Sequence, residues 1–324
     1  MGLPFVSVIV ASKNRKVMLK QLLDSFTELD YPRDRFEVLL IDDRSTDGAW
    51  EWVNEAAGTY PYELRIFRNE QNTVGPATPR NTGIVASHGS IVAFTDSDCV
   101  VSAKWIREAV SCFAPGVGLV QGKTLPHPED PNSMFSATNI VLKVNGDSCN
   151  IFYTREAIDA VGGRFSTGFI PGWPELAMYG DDVDLAYRVK EAGFKTAFAP
   201  DALVYHHIVK LSFRQWLLRP QSAITGPFLV RRHPSIRNEL LFLRYFVNPM
   251  TALFDLALVG CVAALLVHPW FAVASVPFFA GKYLESSSKN PVLRLMRVGG
   301  GTMRSAVTFL ALLRGSILAR TVLL

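Results

Sequence analysis

The chain has 324 residues, a formal net charge of +4, and 49% apolar against 19% charged residues. This composition can build a sizeable core, which excludes a largely disordered protein, and the length allows one large domain or two ordinary ones. Acidic residues become rare after residue 210, so the basic excess lies in the C-terminal part. Basic residues beside long apolar runs, with no RNA- or DNA-binding motif, indicate a membrane surface rather than nucleic acid.

The four cysteines, Cys99, Cys112, Cys149 and Cys261, are far apart in sequence and form no CxxC pair. This pattern argues against a structural zinc site or a disulfide framework and favours a reducing compartment. The first residues run directly into a strand-like segment and lack the features of a signal peptide. We therefore expect the part before residue 210 to face the cytoplasm.

Strand-like and helix-like segments alternate through the first two thirds of the chain. The apolar, β-branched run at residues 5–11 predicts a strand covered on both faces, and apolar side chains at helical spacing predict a helix at 17–29. Further strands are predicted at 36–41, 64–67, 91–95 and 202–205, and further helices at 48–57, 79–86 and 182–192. The alternation indicates an α/β protein with a mostly parallel, doubly wound sheet.

Acidic residues follow two of the predicted strands. Asp42 and Asp43 end one strand, and Asp96-Ser97-Asp98 follows another. In doubly wound sheets, ligands bind beyond the carboxyl ends of the strands. Two carboxylates one residue apart suit Mg²⁺ or Mn²⁺, which often bridge protein carboxylates to substrate phosphates. Such pairs are also common in surface turns, but the position directly after a buried strand favours a metal site.

Five segments, in this order, closely resemble the family 2 glycosyltransferases. They are VSVIVASKNR at 6–15, VLLIDDRSTDG at 38–48, GPATPRNTGIVASHG at 75–89, IVAFTDSDC at 91–99 and YGDDVDLAYRVKEAGF at 179–194. The resemblance covers roughly residues 5–210. It implies a Rossmann-like GT-A catalytic domain at 1–210 that transfers a sugar from a nucleotide-diphosphate donor to a hydroxyl acceptor, usually with inversion.

The resemblance also implies which residues bind the nucleotide sugar. Asp43 matches the family aspartate that hydrogen-bonds the nucleobase, with Asp42 supporting it, although a solvated turn is the alternative. Ala11 and Ser12 would border the base through backbone atoms. Arg80 would neutralise diphosphate charge, for which bidentate guanidinium geometry is suited. The alternative for Arg80 is an ion pair on a helix surface.

The implied metal site combines carboxylates with histidine. Asp98 matches the direct metal ligand, Asp96 would face the ribose or the metal, and Ser97 lies between them in the donor site. In related enzymes a histidine after the last strand completes the shell, which VYH aligns with His206 of the pair His206 and His207. An imidazole is a suitable additional ligand for Mn²⁺. The predicted cofactor is Mn²⁺ or Mg²⁺, and a structural histidine is the alternative.

The general base is implied by Gly180-Asp181-Asp182, where the family most often has Gly-Glu-Asp. Asp182 falls on the base, and Asp181 in place of glutamate leaves the assignment between the two aspartates open. Both carboxylates also suit the first turn of a helix, where the macrodipole favours them. Trp173 and Glu175, in the preceding loop, are candidate acceptor contacts, although a buried tryptophan fits equally well.

Residues 211–324 are predicted to form an all-α region that associates with the membrane. The segment 250–267 is apolar and close to the shortest length that spans a bilayer. Together with the next apolar segment it fits a hairpin at 250–281 with both ends cytoplasmic, because basic residues lie on both sides. A pair of helices lying in the interface fits equally.

Two other parts of this region are predicted to lie on the membrane surface. Residues 211–232 combine aromatic and basic side chains, which indicates one interfacial helix and therefore a lipid-linked acceptor. The apolar run at residues 303–324 is interrupted by Arg314, Gly315 and Arg320, so we expect this segment also to be interfacial rather than membrane-spanning. The alternative for the whole region is a hydrophobic dimerisation surface, which would make the protein a homo-oligomer.

The function predicted is that of a membrane-associated glycosyltransferase of lipid-linked glycan or polysaccharide biosynthesis. One competing function is that of a sugar-nucleotide nucleotidyltransferase, which should carry a glycine-rich phosphate loop; ASKNRK at 11–16 contains no glycine. Another is a non-catalytic, membrane-tethered nucleotide- or carbohydrate-binding protein. The sequence leaves the sugar, the nucleotide and the acceptor open.

Overall fold

The computed structural model describes residues 2–71, 75–131, 133, 135–168, 180–286 and 290–324. The chain divides into two compact units. The first unit comprises Met1–Asn132 and Ala137–Val209, and the second comprises Ser133–Ser136 and Lys210–Leu324.

The strands lie mainly in the first unit. They are β1 (Val6–Ser12), β2 (Phe36–Asp42), β3 (Glu63–Arg68), β4 (Ile91–Asp96), β5 (Cys99–Val101), β6 (Val117–Pro126), β7 (Ser136–Ala137), β8 (Asn150–Thr154), β9 (Lys195–His206) and β10 (Val209–Lys210). Within the described residues, eight of them form one sheet in the order β3-β2-β1-β4-β8-β6-β9-β5. The helices of this unit are α1 (Lys16–Thr27), α2 (Ala49–Ala56), α3 (Ala77–Ala86), α4 (Trp105–Ser111), α5 (Arg155–Ala160) and α6 (Asp181–Glu191).

The central strands form because their apolar side chains are buried on both faces of the sheet. Along β1, Val8 and Val10 pack into one core cluster and Ile9 into the other, as the alternation of side chains along a strand requires. Full burial of a side chain of this size contributes about 1.5–3 kcal/mol. The predicted α/β fold with a mostly parallel sheet is confirmed. β1 pairs in parallel with β2 and β4 and β2 with β3, while β8 is antiparallel to β4.

The register of β1 brings the predicted site residues together. Ser12 lies opposite Asp42 on β2, and Ala11 lies opposite Asp96 on β4. Three strands therefore end at one edge of the sheet, and two of them end in a carboxylate. Asp43 and Asp98 follow within one or two residues.

The second unit is helical. Its helices are α7 (Phe213–Leu218), α8 (Gly226–Arg232), α9 (Ile236–Glu239), α10 (Pro249–Leu266), α11 (Val276–Glu285) and α12 (Pro291–Ala319), with 3₁₀ segments at Arg219–Thr225 and Pro269–Ser275. Among the described residues, α10 and α12 are long and apolar enough to cross a membrane. Length and composition alone are weak evidence that they do so.

The prediction of one continuous helix at 211–232 is wrong. The segment consists of α7, a 3₁₀ segment and α8. Pro220 and Pro227 explain the change, because proline has no N–H for the helical hydrogen bond and its ring clashes with the preceding turn.

Arg314 and Gly315, which interrupt the apolar run at 303–324, lie within α12, and this helix continues to Ala319. Gly315 is needed for packing: a Cβ atom there would lie only 2.5 Å from the carbonyl oxygen of Ile224. The helix ends where Arg320 adopts a left-handed conformation, with φ of 49°.

We therefore expect Gly315→Ala to destabilise the second unit by about 1–3 kcal/mol, because the added methyl group overlaps a backbone carbonyl that cannot move freely. Gly299→Ala is the matched control, since a Cβ atom at Gly299 meets nothing within 4 Å. Alanine in an open helix position should gain up to about 1 kcal/mol. Thermal unfolding of the full chain in detergent measures both variants, and equal unfolding temperatures would contradict this account of Gly315.

Candidate active site

A cavity of about 640 Å³ lies beyond the carboxyl ends of β1, β2 and β4. Seven residues predicted from the sequence line it, namely Ala11, Ser12, Asp43, Arg80, Asp96, Ser97 and Asp98. Lys13, Arg15 and Arg44 add positive charge to the wall. The structure therefore brings the predicted donor-site residues into one charged cavity, while their roles stay predictions.

Asp42 and Asp43 differ in what they contact. Asp43 accepts hydrogen bonds from Lys13 Nζ (3.1 Å) and Asn69 Nδ2 (2.8 Å), and its carboxylate lines the cavity. Asp42 is buried and accepts a hydrogen bond from the backbone N–H of Ser45 (3.1 Å), so it holds the turn after β2. This arrangement leaves Asp43 as the carboxylate that a ligand can reach.

Arg80, on α3, is a buried cation, with 6% of its surface exposed. Its Nη2 donates to Asp96 Oδ1 (2.8 Å), and its Nη1 lies 3.7 Å from Asp181 Oδ2. Burial would lower the pKa of Arg80, but the charges of Asp96, Asp181 and Asp182 outweigh burial and raise it. The alternative for Arg80 was an ion pair on a helix surface. Its burial does not fit that alternative, because a surface ion pair is exposed to solvent.

Asp96, Asp98 and His206 point towards one place. His206 Nε2 lies 3.5 Å from Asp98 Oδ1 and 4.0 Å from Asp96 Oδ2. Two carboxylates and an imidazole fit a divalent cation such as Mg²⁺ or Mn²⁺. Cys99 also lies near Asp98 and His206. Burial, then the charges of Asp96 and Asp98, raise the pKa of the Cys99 thiol well above its usual value. Mg²⁺ and Mn²⁺ prefer oxygen ligands and imidazole to sulfur, so Cys99 is the least suitable ligand of this group.

The structure does not bring the imidazole of His207 to this place. His207 Nδ1 lies 2.8 Å from Asp130 Oδ2, and the ring stacks on His127 with 4.4 Å between centroids. Only the backbone of His207 reaches the metal site, where its N–H donates to the carbonyl oxygen of Asp98 (2.9 Å). The geometry therefore favours His206 of the two histidines.

The two candidate bases begin α6. Asp182 Oδ2 accepts from the N–H and Oγ of Ser148 (both 3.3 Å), and its Oδ1 accepts from the N–H of Val183 (2.8 Å). Asp181 is buried, and burial together with the charge of Asp182 raises its pKa to about 7, against the opposing effect of Arg80. At neutral pH, Asp181 therefore carries a proton in part of the population.

Asp147 is a charged residue of this site that the sequence analysis missed. Burial, then the charges of Asp182 and Asp96, raise the pKa of Asp147 to about 6. It lies in the loop before β8, next to Ser148, and β8 pairs with β4. Asp147 precedes the strand β8, whereas the aspartates recognised from the sequence follow their strands, so the strand-end pattern did not indicate it. The predicted acceptor residues Trp173 and Glu175 lie outside the described residues.

A parallel sheet with a charged cavity beyond its strand ends is the arrangement of a nucleotide-binding α/β enzyme. Residues 7–168 match the description "Glycosyl transferase family 2", and residues 148–313 match "Glycosyl transferase family group 2". The chain belongs to the family 2 glycosyltransferases and is an enzyme of that class.

Curated relatives of similar sequence are named as glycosyltransferases or glycolipid synthases. Glycosyltransferase AglE of Haloferax volcanii is 31% identical over 215 residues, which cover 63% of this chain and 67% of AglE. A beta-monoglucosyldiacylglycerol synthase of a Synechocystis species is 28% identical, covering 69% of this chain and 48% of the synthase. The chain thus spans about half the length of that synthase.

Solved structures show the GT-A fold. The mannosyltransferase PcManGT from Pyrobaculum calidifontis, in complex with GDP-Man and Mn²⁺, aligns with a TM-score of 0.61 and 21% identity, over 97% of this chain and 88% of that one. A Staphylococcus aureus TarS fragment in complex with UDP aligns with a TM-score of 0.52 and 18% identity, over 97% and 91%. The family match and the relatives' names support a nucleotide-sugar glycosyltransferase.

Because burial and the charge of Asp182 raise the pKa of Asp181 to about 7, we expect the rate of transfer to depend on pH near neutrality. Protonation of Asp181 between pH 8 and pH 6 removes a negative charge next to Asp182 and 3.7 Å from Arg80, so we expect the rate to fall about three- to tenfold over this range. Asp181→Asn cannot titrate and should show a flat, lower profile over this range. If Asp181→Asn retains the same fall, another group causes it.

Proposed function

We propose that the chain transfers a sugar, with inversion, from a nucleotide diphosphate to a hydroxyl acceptor in a reaction that requires a divalent cation. The observation that carries the proposal is the convergence of Asp43, Arg80, Asp96 and Asp98 on one cavity, with Asp181 within 3.7 Å of Arg80. The donor site and the candidate base Asp181 are thus linked by the same buried arginine, Arg80.

The donor binds along the strand ends in this proposal. Asp43 accepts hydrogen bonds from the base, since Lys13 and Asn69 already orient its carboxylate. Arg80 faces the diphosphate, where a buried guanidinium acts strongly because little water screens it. Asp96 Oδ1 holds Arg80 in that orientation, at 2.8 Å.

Asp98, Asp96 and His206 would hold the cation. A cation bound there would offset the negative charge that develops on the departing nucleotide diphosphate. The chain's own residues keep the ligands in place: His206 Nδ1 lies 2.9 Å from the carbonyl oxygen of His207, and Asp98 Oδ2 lies 3.5 Å from Arg15.

Asp182 acts as the general base in this proposal. Its carboxylate, held by Ser148 and Val183, takes the proton of the acceptor hydroxyl while that oxygen attacks the anomeric carbon. The nucleotide diphosphate leaves from the opposite face, which inverts the configuration in a single displacement. Asp181 places a second carboxylate beside Asp182, 3.7 Å from Arg80.

We also propose a membrane-associated protein whose catalytic unit faces the cytoplasm and whose acceptor is lipid-linked. The apolar helices α10 and α12 support membrane attachment. The name of the Synechocystis relative specifies a glycolipid product, and that of Staphylococcus aureus TarS a poly(ribitol-phosphate) acceptor. The sugar and the nucleotide stay open, because the structural neighbours hold GDP-Man in one case and UDP in another.

Binding of a nucleotide diphosphate should require both Mn²⁺ and Asp98. We expect Asp98→Ala to weaken Mn²⁺-dependent binding of UDP or GDP, whichever the unmodified protein binds, by at least about 100-fold, since one carboxylate ligand is lost. Calorimetric titration with and without EDTA measures this effect. The control is Asp201→Ala, which removes an exposed carboxylate of β9. Tight binding by Asp98→Ala that EDTA does not disturb would refute the metal assignment.

Asp182→Asn should severely reduce transfer while leaving donor affinity near normal. The substitution keeps the size of the side chain and removes the basic carboxylate, so we expect kcat to fall about 10²–10⁴-fold. Asp181→Asn should lose less, because Asp181 acts through Asp182. Transfer kinetics and donor affinity are measured on both variants. The opposite ranking would make Asp181 the base, and unchanged rates in both would place the base elsewhere.

A further inference from the structure

The second unit contains a cavity of about 380 Å³ that has no part in the donor site. This volume lies within the range of roughly 300–1,000 Å³ that is typical of small-molecule sites. Three basic side chains line it, those of Arg219, Lys282 and Arg304, together with the carboxylate of Asp255. The cavity therefore collects positive charge among the helices of the second unit.

Arg304 is fixed beside the cavity by Trp216. Its Nη1 donates to the carbonyl oxygen of Trp216 (2.7 Å), and its guanidinium lies 4.6 Å from the centroid of the indole ring. A guanidinium has five N–H donors, so this contact leaves most of them available. An arginine held in this way is prepared to bind an anion without losing much side-chain freedom.

Two of three consecutive glycines in α12, Gly300 and Gly301, admit neighbouring side chains beside the cavity. Each costs up to about 1 kcal/mol in a helix interior relative to alanine. A Cβ atom at Gly300 would lie 2.9 Å from the Trp216 ring, and one at Gly301 would lie 3.3 Å from Lys282 Cδ. Two of the glycines thus let Trp216 and Lys282 pack against the helix that carries Arg304.

The charges of the cavity are not balanced. Lys282 forms an ion pair with Glu285 (3.1 Å), so Arg219 and Arg304 bring two further positive charges to a lining that holds the single carboxylate of Asp255. Asp255 Oδ2 is buried and, within the described part of the chain, has no hydrogen-bond partner. A ligand that satisfies this cavity therefore has one negative group for the arginines and one hydroxyl that can donate to Asp255.

The remaining wall is apolar, with Met250, Phe254, Phe309 and Leu312 among its residues. α10, which carries Asp255, has a mean hydropathy of 2.0 over 18 residues. Ionisable side chains in such helices mark binding sites far more often than structural positions, and basic pockets between apolar helices bind lipid head groups. A ligand with a charged head and an apolar tail fits a cavity with both basic and apolar walls better than a free anion does.

We propose that this cavity binds the head group of an anionic phospholipid that carries a free hydroxyl, such as phosphatidylglycerol. Arg219 and Arg304 bind the phosphodiester, and Asp255 Oδ2 accepts a hydrogen bond from the head-group hydroxyl. The acyl chains extend along the apolar wall. The site is independent of the transfer reaction, and its test needs no activity.

Native mass spectrometry of the full chain in detergent measures which lipids remain bound. Phosphatidylglycerol should bind at least about tenfold more tightly than phosphatidylcholine, which corresponds to about 1.4 kcal/mol. Arg219→Gln and Arg304→Gln should remove this preference, and Arg219 is exposed, so its variant should fold normally. Arg297→Gln is the matched control, because it removes the same charge from α12 outside the cavity.

Two further ligands separate the sources of the signal. Glycerol phosphate carries the head group without acyl chains and should bind at least about tenfold more weakly than the lipid. Phosphatidylethanol has the same charge as phosphatidylglycerol but no head-group hydroxyl. It should bind more weakly than phosphatidylglycerol to the unmodified chain and equally well to Asp255→Ala. The proposal is overturned if Arg219→Gln retains the preference, if phosphatidylcholine binds equally, or if glycerol phosphate competes as an equal.

Discussion

The buried guanidinium of Arg80 is the interaction on which the catalytic arrangement depends. Carboxylates from distant parts of the chain, Asp96 at the end of β4 and Asp181 at the start of α6, lie close together in this site. Their mutual repulsion would be strong because little water reaches the site. Arg80 lies 2.8 Å from Asp96 and 3.7 Å from Asp181, so one cation offsets charge at both the strand end and the helix start. Because a guanidinium keeps its proton, this compensation persists at any physiological pH.

The sequence predicted the part of the fold that depends on local pattern. The apolar strands β1, β2 and β4 were recognisable because burial on both faces requires continuous apolar residues. The parallel pairing then carried Asp43, Asp96 and Asp98 to one edge of the sheet without further assumption. The cavity lining follows from this register, while the roles assigned to its residues rest on the family resemblance.

Other features depend on tertiary contacts that no local pattern contains. Asp147 enters the site because β8 pairs with β4, and the side chain of His207 is directed away by Asp130 and His127. In the second unit, the sequence showed Gly315 only as a break in the apolar run at 303–324. Its contact with Ile224 shows instead that a helix interior can use glycine to admit a neighbouring backbone.

The antiparallel pairing of β5 with β9 has a consequence for how the chain tolerates change. Cys99 lies opposite His206, so the ladder alone fixes the distance between Asp98 and an imidazole more than a hundred residues later. A slip of one residue would turn His206 to the other face of the sheet. The connecting loops can therefore accept insertions without moving His206 relative to Asp98. One residue added within β9 would shift the register and separate the imidazole from the carboxylates.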